Sequence, residues 1–220
     1  MTLTKKGIID LYRLRSRHYD ITANLYYLIG FREQAYRKAA VKALNLHSGD
    51  TVVEIGCGTG LNFHCCDAAG SGDHRLIHRS MLDQASEDRK RGWTNVELVQ
   101  SDAASYEFPE GIDGVISTFA LTLVPEFDLV IRNGCAALAP GGRWVVLDFR
   151  LPSSRVAMLF APFLIFLTKP FGVRRELAER RPWESIGKYL ENVSVTEFYF
   201  DSLILQQERR ETGYESVLSS

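Results

Sequence analysis

The sequence predicts an α/β domain built on a mostly parallel, doubly wound sheet with an antiparallel edge strand. Three observations carry that expectation. The run Thr51-Val52-Val53-Glu54-Ile55 stops on a glycine-rich turn, GCGTG. Further short apolar runs recur at Val96–Val99, Gly114–Ser117 and Trp144–Leu147, with helix-length segments between them. Two stretches late in the chain, VSVTEFYF and SLILQQ, read as strands joined around Asp201. Short β-branched runs bounded by turns are the mark of strands buried on both faces, and their alternation with helical lengths is a βαβ rhythm.

From about Ile8 to Leu44 the chain carries Arg, Lys, Tyr and Leu without strand-like alternation, which predicts two helices divided near Gly30. Residues 1–45 are therefore expected to form a helical lead-in or lid, and residues 46–220 the α/β domain. After the turn signal HSGD comes TVVEI, the expected first strand of the sheet. Pro140-Gly141-Gly142 reads as a turn delivering the chain into the strand WVVLDF. Between about 151 and 181 the rhythm lapses, and a helical insertion over one end of the sheet is expected there. No internal repeat or low-complexity tract is present.

At 220 residues the chain fits one domain with a small appended lid. The formal net charge of −1 gives no basic excess, and there is no Asn/Asp-Pro-Pro-Tyr signature of a base-flipping pocket, so a nucleic-acid partner is not expected. Four cysteines, two of them adjacent and none in a framework spacing, point to a reducing compartment and a cytoplasmic protein. The N-terminal stretch has scattered charges and no apolar signal-like region. The most hydrophobic segment, Val156–Thr168, is broken by Pro162 and falls short of the roughly 20 apolar residues a membrane span needs.

The strongest chemical signal is Glu54-Ile55-Gly56-Cys57-Gly58-Thr59-Gly60. Glycines at the end of a parallel strand let the backbone turn sharply and approach a ligand without Cβ collisions. Nucleotide, flavin and nicotinamide sites use similar turns. Glu54 sharpens the reading, because a carboxylate two residues before the first glycine suits an ammonium group and repels a pyrophosphate.

The segment VVEIGCGTG resembles motif I of class I S-adenosylmethionine-dependent methyltransferases, and QSDAASYEFPEGIDGVIS, TFALTLVP and LAPGGRWVVLDF follow in that family's order over roughly residues 16 to 150. The resemblance implies a Rossmann-like class I methyltransferase fold with S-adenosyl-L-methionine (SAM) as cofactor. It places Glu54, Gly56, Cys57, Gly58, Gly60 and Asn62 around the cofactor, Asp102 with Ala103 beside the adenine, and Ser117, Thr118 and Phe119 near the methionine part. Tyr19-Asp20, Asn24, Gly30 and Arg32 resemble the lead-in of ubiquinone and menaquinone biosynthesis methyltransferases, although the spacing differs by about one residue and the His of their His-Arg pair is absent. Small lipid N-methyltransferases carry similar Tyr-Asp and Tyr-Tyr-Leu elements. Tyr19, Tyr26 and Tyr27 accordingly read either as aromatics closing over the cofactor or as helix-packing groups.

The pattern departs from the family at the second strand, which should end in an acid that takes both ribose hydroxyls. Here stands Leu76-Ile77-His78-Arg79-Ser80. Three explanations stay open: His78 or Ser80 binds the ribose, an acid comes from elsewhere, or residues 64–80 are an altered segment, as through a local reading-frame change. The same stretch holds His64, Cys65, Cys66, His74 and His78, but adjacent cysteines lack the spacer that grips zinc, so no metal is expected. No catalytic residue is assigned; His18, Asp148 or a lead-in tyrosine would be in reach should the acceptor need a base.

The expected function is methyl transfer from SAM to a small, hydrophobic or lipid-like acceptor. The apolar stretch at 156–168, followed by Lys169, Arg174 and Arg175, reads either as a peripheral membrane contact or acyl channel or as a buried helix pair. The alternative is a catalytically weakened or inactive binding protein of the same fold, motivated by the missing ribose acid. A nicotinamide oxidoreductase is disfavoured by Glu54 and by that same missing acid. The oligomeric state is not legible.

Overall fold

The computed structural model describes residues 30–58, 60–62, 75–79, 96–99, 101–150, 180–198 and 203–211. Among them the strands are β1 (Thr51–Ile55), β2 (Arg75–Arg79), β3 (Val96–Leu98), β4 (Ile112–Thr118), β5 (Leu138–Phe149), β6 (Glu191–Phe198) and β7 (Leu203–Arg209). They form one sheet in the order β3-β2-β1-β4-β5-β7-β6. The first five run parallel, and β7 runs antiparallel to both β5 and β6. The late hairpin is therefore β6–β7. Its second strand carries the reversed direction and lies one place in from the edge.

Three helices are described: α1 (Glu33–Leu44), α2 (Phe127–Ala137) and α3 (Pro182–Ile186). The sequence EQAYRKAAVKAL forms α1 because good helix formers dominate it and its buried positions, Arg37, Ala40, Val41 and Leu44, fall on one stripe. Asn45 ends it in the left-handed region at φ 53°, its N–H bonded to the Lys42 carbonyl. Gly30 (φ +83°) stands where the lead-in was expected to divide. The earlier lead-in helix, with His18, Tyr19, Tyr26 and Tyr27, lies outside the described residues, as does the expected insertion over 151–179.

The sheet alternation sorts side chains into two cores. Val52, Ile116, Val145, Leu147, Leu203 and Leu205 pack with Ala40, Val41 and Leu44 of α1. Val53, Ile55, Val115, Trp144 and Val146 pack on the opposite face with Val130, Ile131 and Cys135 of α2 and Ile186 of α3. A doubly wound sheet needs apolar side chains on both faces, and burial of one such side chain contributes about 1.5–3 kcal/mol.

Pro140-Gly141-Gly142 lies inside β5 as a bulge. Ile112 pairs with Leu138 but Gly114 pairs with Arg143, so a two-residue step along β4 matches a five-residue step along β5. Beyond the bulge, Arg143 Nη1 donates to the Ala43 carbonyl at 3.2 Å, which fastens β5 to the last turn of α1. With β2 and β3 on one side of β1 and β4 and β5 on the other, the chain order reverses between β1 and β4. The crevice at their carboxyl ends is where open α/β sheets bind ligands.

Candidate functional site

The glycine turn leaves β1 at that crevice. Gly56 takes φ +73° and Gly58 φ +59°, and Gly60 (φ +82°) closes the turn by donating its N–H to the Cys57 carbonyl at 3.0 Å. A Cβ on Gly56 would stand 2.5 Å from Ala120 Cβ, so the loop after β4 approaches the turn more closely than any side chain permits. A Cβ on Gly58 would meet nothing within 4 Å among the described residues. Cys57 is buried beside them.

Glu54 sits at the end of β1, 1% exposed. Asn62, just past the turn, donates from Nδ2 to Glu54 Oε1 at 2.7 Å and to Thr118 Oγ1 at 2.9 Å. Its Oδ1 accepts from Arg37 Nη1 at 3.2 Å, and the same Nη1 donates to Thr118 Oγ1. Burial pushes the Glu54 carboxyl up to about 7, against the opposing pull of the Arg37 charge and the Asn62 hydrogen bond. Three of the residues predicted for the site, Glu54, Asn62 and Thr118, thus meet in one buried polar network. Arg37 completes it.

Arg37 could not be singled out from sequence. It is one of several cations in and beside α1, with Arg32, Lys38 and Lys42, and only the direction of packing turns it inward. Its guanidinium also pairs with Glu33, one turn earlier, at 2.8 Å and lies 5.1 Å from the centre of the Phe119 ring.

Phe119 adopts φ +56°, a conformation that costs an L residue about 1–2 kcal/mol. Its N–H donates to the Leu147 carbonyl at 2.7 Å, which holds it there. Strain of this kind gathers at ligand sites. The ring joins Phe31 (6.2 Å) and Phe149 (5.0 Å) in an aromatic group at the ends of β4 and β5, with Tyr36 at 5.4 Å from Phe31. Only Phe119 of these was predicted.

Ser117 lies on the opposite face of β4 from Thr118, paired in register with Ile55. It is fully buried, and its Oγ has no hydrogen-bond partner among the described residues. Asp102 stands apart from the network, past β3, where its Oδ1 accepts the Ala104 N–H at 3.0 Å and caps a short 3-10 turn containing the buried Ala103. The register of β2 sets His78 against Glu54 and Arg79 against Ile55, so the strand RLIHR supplies no acid along its length.

Asp148, a candidate base, is committed elsewhere. Oδ1 accepts from Thr122 Oγ1 (2.9 Å) and the Phe149 N–H (2.9 Å), and Oδ2 accepts the Thr122 N–H (3.1 Å). The carboxylate therefore pins the loop after β4 to the end of β5. Asp148→Ala would leave these buried donors unsatisfied at about 1–3 kcal/mol each. We expect a melting temperature lower by roughly 10 °C, read by differential scanning fluorimetry.

Burial pushes the Asp148 carboxyl up to about 6 from an ordinary 3.8. Its contribution to stability is thus fully present below pH 3.8 and lost as pH rises through about 6. Asp148→Asn should remove that dependence.

Among the described residues no helix is long and apolar enough to cross a membrane, and no group of three or more His, Cys, Asp and Glu could hold a metal ion. The histidine- and cysteine-bearing positions 64–66 and 74 lie outside them.

The family model described as a methyltransferase domain matches residues 46–169. The ubiquinone/menaquinone biosynthesis C-methyltransferase UbiE of Francisella tularensis is 32% identical over 124 residues, covering 53% of this chain and 50% of the relative. The demethylmenaquinone methyltransferase of Anoxybacillus flavithermus is 32% identical over 145 residues, covering 63% and 60%. The match thus spans half to three fifths of the length of these relatives. Among solved structures, the N-methyltransferase NodS of Bradyrhizobium japonicum, in complex with S-adenosylhomocysteine, superposes with a TM-score of 0.55 at 15% identity, covering 79% of this chain and 85% of that one.

Proposed function

Since the chain belongs to the methyltransferase-domain family, we propose that it is an enzyme that transfers a methyl group from SAM to a small hydrophobic acceptor of quinone type. The carrying observation is the buried Glu54 carboxyl beside a backbone turn whose Gly56 tolerates no side chain and whose Gly58 is uncrowded among the described residues. A carboxylate there attracts the ammonium of an amino-acid nucleoside and repels a dinucleotide's pyrophosphate. The orphaned Ser117 Oγ at the end of β4 is a further group that a ligand would satisfy.

SAM supplies a methyl group already activated by its positive sulfur. What the chain must add is binding, alignment and exclusion of water. In this reading Glu54 takes the ammonium and Asn62 fixes the Glu54 carboxylate. The backbone of Gly56, Cys57, Gly58 and Gly60 lies against the nucleoside, Asp102 and Ala103 border the adenine, and Ser117, Thr118 and Phe119 border the methionine portion. Tyr19 and Tyr27, outside the described residues, would close the site from the lead-in. The aromatic group of Phe31, Phe119 and Phe149 supports a flat, apolar acceptor, as do the names of the two quinone-methylating relatives, one of them a C-methyltransferase.

Calorimetry with S-adenosylhomocysteine and a transfer assay with labelled SAM and a demethylated quinone test the proposal together. Tight binding and label in the extracted quinone are expected. Absence of binding by both SAM and its demethylated product would overturn it. Binding without transfer to quinones, phospholipids or small amines would instead favour a non-catalytic binding protein, the reading that the acid-free RLIHR strand keeps in view.

A further inference from the structure

The loop after β4, residues 119–124, serves the proposed site twice. Phe119 gives it an aromatic wall, and Ala120 lies so near the glycine turn that a Cβ on Gly56 would stand 2.5 Å from its own. The loop does not support itself. It starts on the strained Phe119 and runs into a single 3-10 turn, Leu121–Leu123, where the Leu123 N–H donates to the Ala120 carbonyl and the Val124 N–H to the Leu121 carbonyl. The next bond of that series would run from residue 125 to the Thr122 carbonyl, but residue 125 is a proline and has no N–H to give.

Arg180 supplies the missing donor. Its Nη1 donates to the Thr122 carbonyl at 3.0 Å and to the Val124 carbonyl at 3.3 Å, so one guanidinium nitrogen spans the end of the turn. Arg180 stands two residues before α3, which is firmly seated. Trp183, Ser185 and Ile186 are buried, the Trp183 carbonyl accepts from Gln206 of β7 at 3.0 Å, and Ser185 Oγ donates to Asp128 of α2. Asp148, at the end of β5, takes the N–H and hydroxyl of the same Thr122. The loop is thus strung between two rigid elements, and Arg180 sets the line along which it leaves the site.

Taking the methyl-transfer reading as given, we propose that Arg180 is a positioning residue for the acceptor: it fixes the loop after β4 so that the Phe119 ring aligns the acceptor with the methyl group. Glu54 and the glycine turn follow from β1 and do not need it. A cation that merely fastened α3 to the domain would change stability and leave turnover by the folded protein alone.

The test combines transfer of label from SAM to a demethylated quinone with calorimetry on S-adenosylhomocysteine. Arg180→Met should lower kcat by about tenfold or more, since a misplacement of about 1 Å can cost about a hundredfold, while affinity for S-adenosylhomocysteine stays within about threefold. Arg181→Met is the control. That neighbouring guanidinium pairs with the exposed Glu184 at 2.8 Å, and its loss should leave kcat within about twofold. In a Phe119→Leu background Arg180→Met should cost less than about threefold further, because both changes act on one alignment. Arg180→Lys, which keeps the charge and loses the planar fork, should fall between, and it carries the same comparisons if Arg180→Met does not fold. A kcat within about twofold of the unaltered protein overturns the proposal. So does an undiminished penalty in the Phe119→Leu background, or a loss of S-adenosylhomocysteine affinity as large as the loss of kcat. Absence of transfer by the unaltered protein overturns the functional reading itself, and is thereby distinguishable from failure of the Arg180 assignment.

Discussion

Gly56→Ala is expected to lower the melting temperature by roughly 4–20 °C and to abolish measurable binding of S-adenosylhomocysteine. Two costs combine. An L side chain at φ +73° costs about 1–2 kcal/mol. The added Cβ, 2.5 Å from Ala120 Cβ, also forces the loop after β4 away, an overpacking of about 1–3 kcal/mol. For a domain of this size each kcal/mol moves the transition by about 2–4 °C. Gly58→Ala is the informative partner. Its φ of +59° carries the same backbone cost, but its Cβ meets nothing within 4 Å among the described residues. The fold should survive with a smaller shift, while the new methyl group projects into the space proposed for the nucleoside. If Gly58→Ala bound S-adenosylhomocysteine as well as the unaltered protein does, the turn would not be the ligand's seat.

Affinity for S-adenosylhomocysteine should rise with pH by up to about a hundredfold between about pH 5 and pH 7. Burial holds the Glu54 carboxyl at about 7, so in acid it must give up its proton before it can pair with an ammonium. Each pH unit below about 7 then costs up to about a factor of ten. Glu54→Gln should remove the acid limb and weaken binding at about pH 7.5 by about tenfold or more, both measurable by calorimetry across a buffer series.

Protein stability should run the other way. Glu54 and Asp148 are raised to about 7 and about 6, and Glu208, buried on β7, to about 7 by its burial. Each of these raised carboxyls supports the fold most fully below its ordinary value near about 4 and loses that support as pH climbs through about 6 to 7.

The parts of this molecule legible in the sequence are those that local pattern dictates. TVVEI ending on glycines could be little other than a buried strand entering a ligand turn, and β4 and the second half of β5 announced themselves in the same way. Relations between distant segments were hidden. Nothing in VSVTEFYF or SLILQQ says which strand lies against β5, because both carry β-branched residues and the choice depends on packing. The bulge at Pro140–Gly142 read as a plain turn because its partner, the step from Ile112 to Gly114, lies on another strand. Asp148 looked available as a base because its donors, Thr122 above all, come from a loop 26 residues away in sequence. Arg37 stayed anonymous among its neighbouring cations for the same reason.

The position of β7 bears on how the chain is made. Trp144, Val145, Val146 and Leu147 are entirely buried, yet β5 gains its outer neighbour only from residues 203–209. During synthesis a ribosome-bound chain would expose that row of unsatisfied amides and carbonyls until the residues after Phe149 and up to Arg209 had emerged. Such an interval invites pairing with other nascent chains. A version cut before Leu203 should therefore accumulate in inclusion bodies even though its glycine turn is intact.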